Sequence, residues 1–416
     1  MQTNISEKFL DDPVIKDAEN ILRSCVHCGF CNATCPTYQL LGDELDGPRG
    51  RIYLIKQVLE GNEISSKTQS HLDRCLTCRA CETTCPSGVK YSHLLNIGRS
   101  VINKEVSRSL HQRLLQLGLR KLFLSRIIFP SLLKTGQFFR PLLPSNLKRS
   151  IPGRQNKLRF KKRHHNRKIL LVTGCVQPEL KPNIDTAARV IFDRLDIECI
   201  ESSTTRCCGS LSHHLNAEEE AFSIIKKNID DWWPLIESNA IEAICMTASG
   251  CGVAIKEYAQ LLLHDKDYAE KARLISQLYK DPAEIIAAGS YGDRKTAVQL
   301  ITKQRSSDPG SDQGKVIAFH PPCTLQHGMQ LKNIIEPVLR NAGYTLQAFN
   351  DSHLCCGSAG TYSITQKKLS QQLLNNKLDN IKQVEPDVIA TANIGCQLHL
   401  QSSTSTPVKH WLELLV

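Results

Sequence analysis

The sequence predicts a multidomain chain: a helical unit carrying two four-cysteine runs, followed by two α/β units with parallel sheets that repeat one another. Three observations predict it. Two runs share the spacing C-x2-C-x2-C-x3-C-P. Three later cysteine motifs recur at a nearly constant offset. Inside each repeat, short apolar runs alternate with amphipathic stretches.

In the first run Cys25, Cys28, Cys31 and Cys35 precede Pro36; in the second Cys75, Cys78, Cys81 and Cys85 precede Pro86. This is the bacterial pattern for [4Fe–4S] ligation, in which the fourth cysteine completes the other cluster. One cluster is therefore expected on Cys25, Cys28, Cys31 and Cys85, and a second on Cys75, Cys78, Cys81 and Cys35. Zinc prefers two separated C-x2-C knuckles and fits the spacing poorly.

Residues 1–103 form this unit. Between the runs, Ile52, Ile55, Val58 and Leu59 mark one face of a helix that Gly61 and Asn62 end. The stretch from His93 to Ile97 has a helical pattern too. The motif from Asp46 through Gly47, Pro48, Arg49 and Gly50 to Arg51 reads as the turn that starts the first of these helices.

Residues 104–167 are a connector. Leu110 to Phe129 reads as one basic amphipathic helix, and Pro130, Pro141, Pro144 and Pro152 then break the pattern into short pieces. From Arg99 to Lys168 there are 19 Lys or Arg against one acid, Glu105. Subtracting that surplus of 18 from the whole-chain charge of +11 leaves the remainder at −7. The apolar face has three candidate partners: the protein's own domains, an anionic membrane surface, or a partner subunit.

The repeats occupy 168–305 and 315–416, joined by a polar linker from Ser306 to Gly314. Cys175 corresponds to Cys323, the pair Cys207–Cys208 before Gly209 to Cys355–Cys356 before Gly357, and Cys251 to Cys396. The first two correspondences are 148 residues apart and the third 145. Strands are expected near 168–173, 197–201 and 242–246 of the first copy. Ligands of parallel sheets sit off the carboxyl ends of the strands, where these cysteines fall. Cys175, Cys207, Cys208 and Cys251 are thus one candidate metal set, and Cys323, Cys355, Cys356 and Cys396 another, for a further iron–sulfur cluster or zinc. His399 is a candidate extra ligand, and His213, His214, His320, His327 and His353 are candidate supporting donors. Cys199 and Cys245, which lack counterparts, read as buried strand residues.

The chain has 18 cysteines, and its first residues lack a basic segment followed by an apolar run, so reduced thiols and a cytoplasmic location are expected. No stretch is apolar for long enough to span a membrane. With 6% aromatic residues and no recognition module, nucleic-acid binding is not expected. No G-x-G-x-x-G follows a strand, so the chain offers no flavin site of its own.

Taken together, the double cysteine run, the helical intervening segment, Thr173 to Pro178, Cys207 to Gly209, His320 to Cys323 with Leu325 to Gly328, and Cys355 to Gly357 resemble the iron–sulfur subunits of membrane-associated flavin dehydrogenases. The order of motifs is most similar to the glycolate oxidase (glycolate dehydrogenase) iron–sulfur subunits. It resembles more distantly the corresponding subunit of anaerobic glycerol-3-phosphate dehydrogenase and the heterodisulfide reductase Cys-Cys-Gly proteins. The resemblance covers about residue 20 to 416. It implies an all-helical double-cluster ferredoxin domain followed by two α/β cysteine-rich domains. It also implies FAD-binding partner subunits that oxidise glycolate to glyoxylate, a quinone as electron acceptor, and a peripheral position on the inner face of the cytoplasmic membrane. Such a chain relays electrons and is not itself catalytic on glycolate. Alternatives of the same kind serve glycerol 3-phosphate or lactate dehydrogenases; a different alternative is a heterodisulfide-reductase-like thiol/disulfide oxidoreductase. Heterodisulfide-reductase-type copies end in C-x-x-C. Here Cys251 and Cys396 each stand alone, which departs from that pattern.

Overall fold

The computed structural model describes residues 1–144, 148, 151–202, 204, 207–288, 294–302 and 314–416. The expected linker lies outside the described residues apart from Gly314, as does the expected end of the first repeat at residue 305.

The N-terminal unit is helical throughout, with its core between the helices Pro13–Ser24, Pro48–Leu59 and Tyr91–Glu105. Helix Pro48–Leu59 begins before the apolar pattern does because Pro48 occupies its first position, where no N–H is needed. Ile52, Ile55, Val58 and Leu59 are all buried, as their spacing predicts. At the other end Gly61 takes φ +85° and the Asn62 N–H reaches the Gln57 carbonyl, which closes the last turn. This helix crosses Tyr91–Glu105 at Gly98, where an added Cβ would lie 2.6 Å from Ile55 Cγ1.

The two repeats are the two sheets, each with four parallel strands in the same order. The first has β1 (Arg167–Leu171), β2 (Ile197–Ile200), β3 (Ala243–Cys245) and β4 (Tyr279–Lys280), ordered β2-β1-β3-β4. The second has β5 (Val316–His320), β6 (Thr345–Gln347), β7 (Val388–Thr391) and β8 (Val408–His410), ordered β6-β5-β7-β8. Identical order in both sheets is what an internal duplication produces. The fourth strands, β4 and β8, escape the sequence pattern because two or three residues carry no periodicity. Cys245 is fully buried on β3, and Cys199 is partly buried on β2, as expected of strand cysteines.

The copies share one continuous apolar core. Trp411 and Leu412, just past β8, pack against helix Asn183–Arg194 of the first copy. The equivalent turns after β3 and β7 touch: the Ser249 N–H donates to the Ala392 carbonyl (3.3 Å), and buried His410 contacts the Thr247 carbonyl (3.1 Å).

The connector corrects one expectation. The segment from Leu110 to Phe129 is not one helix but parts of two, Leu110–Leu124 and Ile128–Phe139, and Pro130 sits in the first turn of the second instead of breaking the pattern. Their apolar face is only partly covered: the first helix pairs Arg120 with Glu220 of the first copy, the second touches the Gln177–Leu180 turn, and much of the rest is exposed. Leu119 is the one buried residue of the first helix and the second buries none, while Leu110, Phe138 and Leu142 are 71%, 79% and 82% exposed. The basic stretch after it does pair with the first copy, through Lys162–Glu198 (3.1 Å) and Arg167–Glu242 (2.6 Å). No helix among the described residues is long and apolar enough to cross a membrane.

The crossing at Gly98 predicts a measurable cost. Gly98→Ala gains about 1 kcal/mol of helix propensity but overpacks Ile55, at a cost of about 1–3 kcal/mol. Urea unfolding should show a net loss, and Ile55→Ala combined with Gly98→Ala should cost less than the two single losses added together.

Candidate metal and electron-transfer centres

The eight cysteines of the two runs converge on two adjoining cavities. Cys25, Cys28, Cys31 and Cys85 line the first. Cys35, Cys75, Cys78 and Cys81 line the second. The first cavity takes three thiols from the first run with Cys85 from the second, Cys81 standing at the wall it shares with the second cavity, and the second takes three from the second run with Cys35 from the first. Local backbone explains the convergence. In each run two residues take left-handed conformations, His27 and Gly29 in the first, Thr77 and Arg79 in the second, so the chain wraps round the cavity. Pro36 opens the helix Pro36–Leu41 directly after Cys35.

The donor set suits an iron–sulfur group. Burial pushes the Cys31 thiol up to about 11, and the Cys78 and Cys81 thiols well above their usual range. Four such sulfurs ionise together only against bound cationic metal. Donors already aim at them: the Thr77 N–H lies 3.4 Å and the Tyr91 hydroxyl 3.6 Å from Cys75 Sγ.

Each repeat gathers its own four cysteines at the carboxyl ends of its strands. In the first copy Cys175 and Cys208 both direct their thiols at Cys207. Those bonds, with the Gly209 and Leu211 N–H groups, hold Cys207 well below the usual thiol range, and Cys208 also contacts Cys251. In the second copy contacts run from Cys323 to Cys355 (4.0 Å between sulfurs), on to Cys356 and then to Cys396. The glycine of Cys-Cys-Gly has a physical reason: Gly357 sits at φ +87°, its N–H donates to Cys355 Sγ (3.4 Å), and an added Cβ would lie 2.7 Å from the Ser370 carbonyl. Gly209 repeats the φ of +87° and the 3.4 Å bond, to Cys207.

The histidines sort differently from the sequence expectation. His399 turns to the Ser370 hydroxyl (3.2 Å) and is not gathered with the second copy's sulfurs. The residue that is gathered there is His320, whose ring lies with Cys356 and Cys396, ligand atoms within 4.8 Å of one another. His320 is 1% exposed, and neither ring nitrogen has a hydrogen-bond partner. Such a buried pair of orphaned nitrogens costs about 1–3 kcal/mol per group. The first copy has Val172 at the corresponding position, which the 148-residue offset identifies. His327 bridges domains, touching the Thr83 hydroxyl (2.9 Å) and the His353 carbonyl (3.1 Å). His213 and His214 pack against each other, 5.9 Å between ring centroids.

Sequence reasoning could not place the centres relative to one another. The second cavity faces the second copy: Leu76 is buried among Cys355, Tyr362, Leu369 and Leu373, with Cys78 and Cys323 at the edge of the same cluster. The Tyr362 hydroxyl donates to the Arg74 carbonyl (3.1 Å). Arg79, next to Cys78, pairs with Glu257 of the first copy.

Paired thiol cavities on a helical scaffold, docked against duplicated Cys-Cys-Gly sheets, define an iron–sulfur electron-transfer protein. A family described as "4Fe-4S dicluster domain" matches residues 21–89, and one described as "Cysteine-rich domain" matches 169–256 and 317–401. The glycolate oxidase iron-sulfur subunit of Escherichia coli (strain K12) is 48% identical over 416 residues, covering 100% of this chain and 98% of the relative. The probable glycolate oxidase iron-sulfur subunit of Bacillus subtilis (strain 168) is 27% identical, covering 92% of this chain and 89% of the relative. Lactate utilization protein A of Geobacillus thermodenitrificans is 23% identical across 56% of this chain and 90% of its own length. The chain belongs to the glycolate oxidase iron–sulfur subunit family.

Proposed function

We propose that the chain is the electron-transfer subunit of a glycolate oxidase. Partner flavin subunits take two electrons from glycolate, leaving glyoxylate, and this chain carries them singly toward a quinone. The substrate rests on the full-length 48% identity, against the shorter and weaker match to the lactate relative. The relay rests on one observation, that Cys78 stands beside Cys323 and Cys355 where the helical unit meets the second copy.

Cys25, Cys28, Cys31 and Cys85 would hold one [4Fe–4S] cluster, and Cys75, Cys78, Cys81 and Cys35 another. Bound there, such clusters supply one-electron storage at potentials that the surroundings tune. The chain's own residues fix the spacing, bury Cys81 and most of Cys78, and line the passage to the second copy with Leu76 and Tyr362. In that copy His320, Cys356 and Cys396, with Cys323 and Cys355 next to them, are a mixed imidazole–thiolate set suited to zinc or iron. Cys175, Cys207, Cys208 and Cys251 form the corresponding all-thiol set. The exposed apolar face of residues 110–142, set in basic surroundings, is suited to an anionic membrane surface near the quinone.

Three outcomes are expected. Cys85→Ser should disturb the reduced-state EPR signal of the centre held by Cys25, Cys28 and Cys31; a loss confined to the other centre would refute the crossed ligation. His320→Ala should lower the zinc or iron found beyond eight irons per chain in anaerobic preparations, and unchanged metal content would remove His320 from the ligand set. Co-sedimentation with anionic vesicles should weaken with salt, because the attraction decays over about 8 Å at physiological ionic strength. It should weaken further in Leu114→Asp with Phe138→Asp, and equal pelleting of wild type and variant would rule that face out.

A further inference from the structure

The Asp46–Arg51 motif does more than start a helix. Arg51 and Asp46 are 1% and 0% exposed, on the inner side of the turn. The Arg51 guanidinium lines the second cavity with Cys35, Cys75, Cys78 and Cys81. Its Nη1 donates to Thr37 Oγ1 (3.1 Å), which lies 3.3 Å from Cys35 Sγ; its Nε donates to the His71 carbonyl (2.8 Å). Asp46 is 3.4 Å from Arg51 Nη2 and accepts from Arg74 Nη1 (2.8 Å), with His71 Nδ1 3.2 Å away but making no hydrogen bond. One buried carboxylate therefore serves two guanidiniums. Asp43 also stands near His71, but it is exposed to water and accepts from the Leu45 N–H.

The first cavity is built otherwise. Its guanidinium, Arg49, is 37% exposed and neutralised by Glu44 at 2.6 Å. The Met1 ammonium donates to the Cys25 carbonyl (3.1 Å) from a position that water reaches. No other Lys or Arg lines that cavity among the described residues.

We propose that Arg51 is a fixed counter-charge for the centre held by Cys35, Cys75, Cys78 and Cys81, and makes that centre the receiving side of the pair. The proposal rests on the two-cluster reading above. An electron added to a thiolate-ligated cluster adds negative charge, which burial opposes and a nearby buried cation favours. Arg51 faces the required way: its guanidinium borders the cavity and reaches Cys35 through the Thr37 hydroxyl. The ordering also fits the docking, since the second centre is the one beside the second copy. Electrons entering at the first centre would then settle next to their exit.

The test is EPR-monitored potentiometry of the full chain, purified anaerobically, with iron counted in every sample. The Cys78→Ser variant identifies which transition belongs to the second centre. Arg51→Gln should lower that centre's electron occupancy about tenfold relative to the first, a shift of about 59 mV for one electron. Asp46→Asn, which frees Arg51 from its carboxylate, should move the same transition in the opposite direction, and Arg51→Lys should stay near wild type. A merely structural role would move Arg51→Gln and Asp46→Asn together or not at all, and either pattern at full iron content overturns the proposal. Should Arg51→Gln fail to load, Asp46→Asn decides: an upward shift supports the counter-charge, and a downward or absent shift refutes it. Four or fewer irons in the wild type would instead sink the two-cluster reading itself.

Discussion

Thiol groups gathered out of water cannot all carry charge, and much of this molecule follows from that constraint. Sixteen cysteines lie in four groups of four, and burial first, then the charge of neighbouring thiols, raises Cys31, Cys78 and Cys81. Bound metal would resolve the conflict, and fixed donors stand ready at the sulfurs: backbone N–H groups at Cys75, Cys207 and Cys355, and the Tyr91 hydroxyl at Cys75. The left-handed glycines of both Cys-Cys-Gly motifs exist for those bonds, because any Cβ there would run into neighbouring atoms.

Much of this was legible in the sequence because the chemistry fixes spacing along the chain. Two residues between ligand cysteines set the wrap of each loop, and a constant offset exposed the duplicated sheets. The helix carrying Ile52, Ile55 and Val58 was legible from period alone. The hidden features depend on contacts between residues far apart in sequence. Leu76 meets Tyr362 and Leu373 only because the helical unit docks on the second copy. His399 sits one turn from Cys396 on the same helix, which made it the natural candidate. His320 reaches the cysteines instead, from the end of β5, because the sheet brings strand ends together. Arg51 read only as the end of a helix-starting turn; packing alone shows the guanidinium directed inward.

The duplication is symmetric in topology and asymmetric in chemistry. Both sheets share one strand order and one glycine geometry. Only the second copy has the histidine, where the first has Val172, and only the second has its cysteines against the second thiol cavity. The first copy contributes a different kind of contact, with Glu257 holding Arg79 beside Cys78. One copy thus stands in line with the relay while the other braces it.

The relay requires two iron–sulfur centres side by side in the adjoining cavities, which share Pro48, Cys81 and Tyr91 as walls. The most direct measurement is reduced-state EPR of the anaerobically purified chain, recorded at successive degrees of reduction. Two centres in those cavities predict a simple signal at partial reduction that broadens and splits by spin–spin coupling when both are reduced. A single signal whose shape never changes up to full reduction would contradict the paired arrangement.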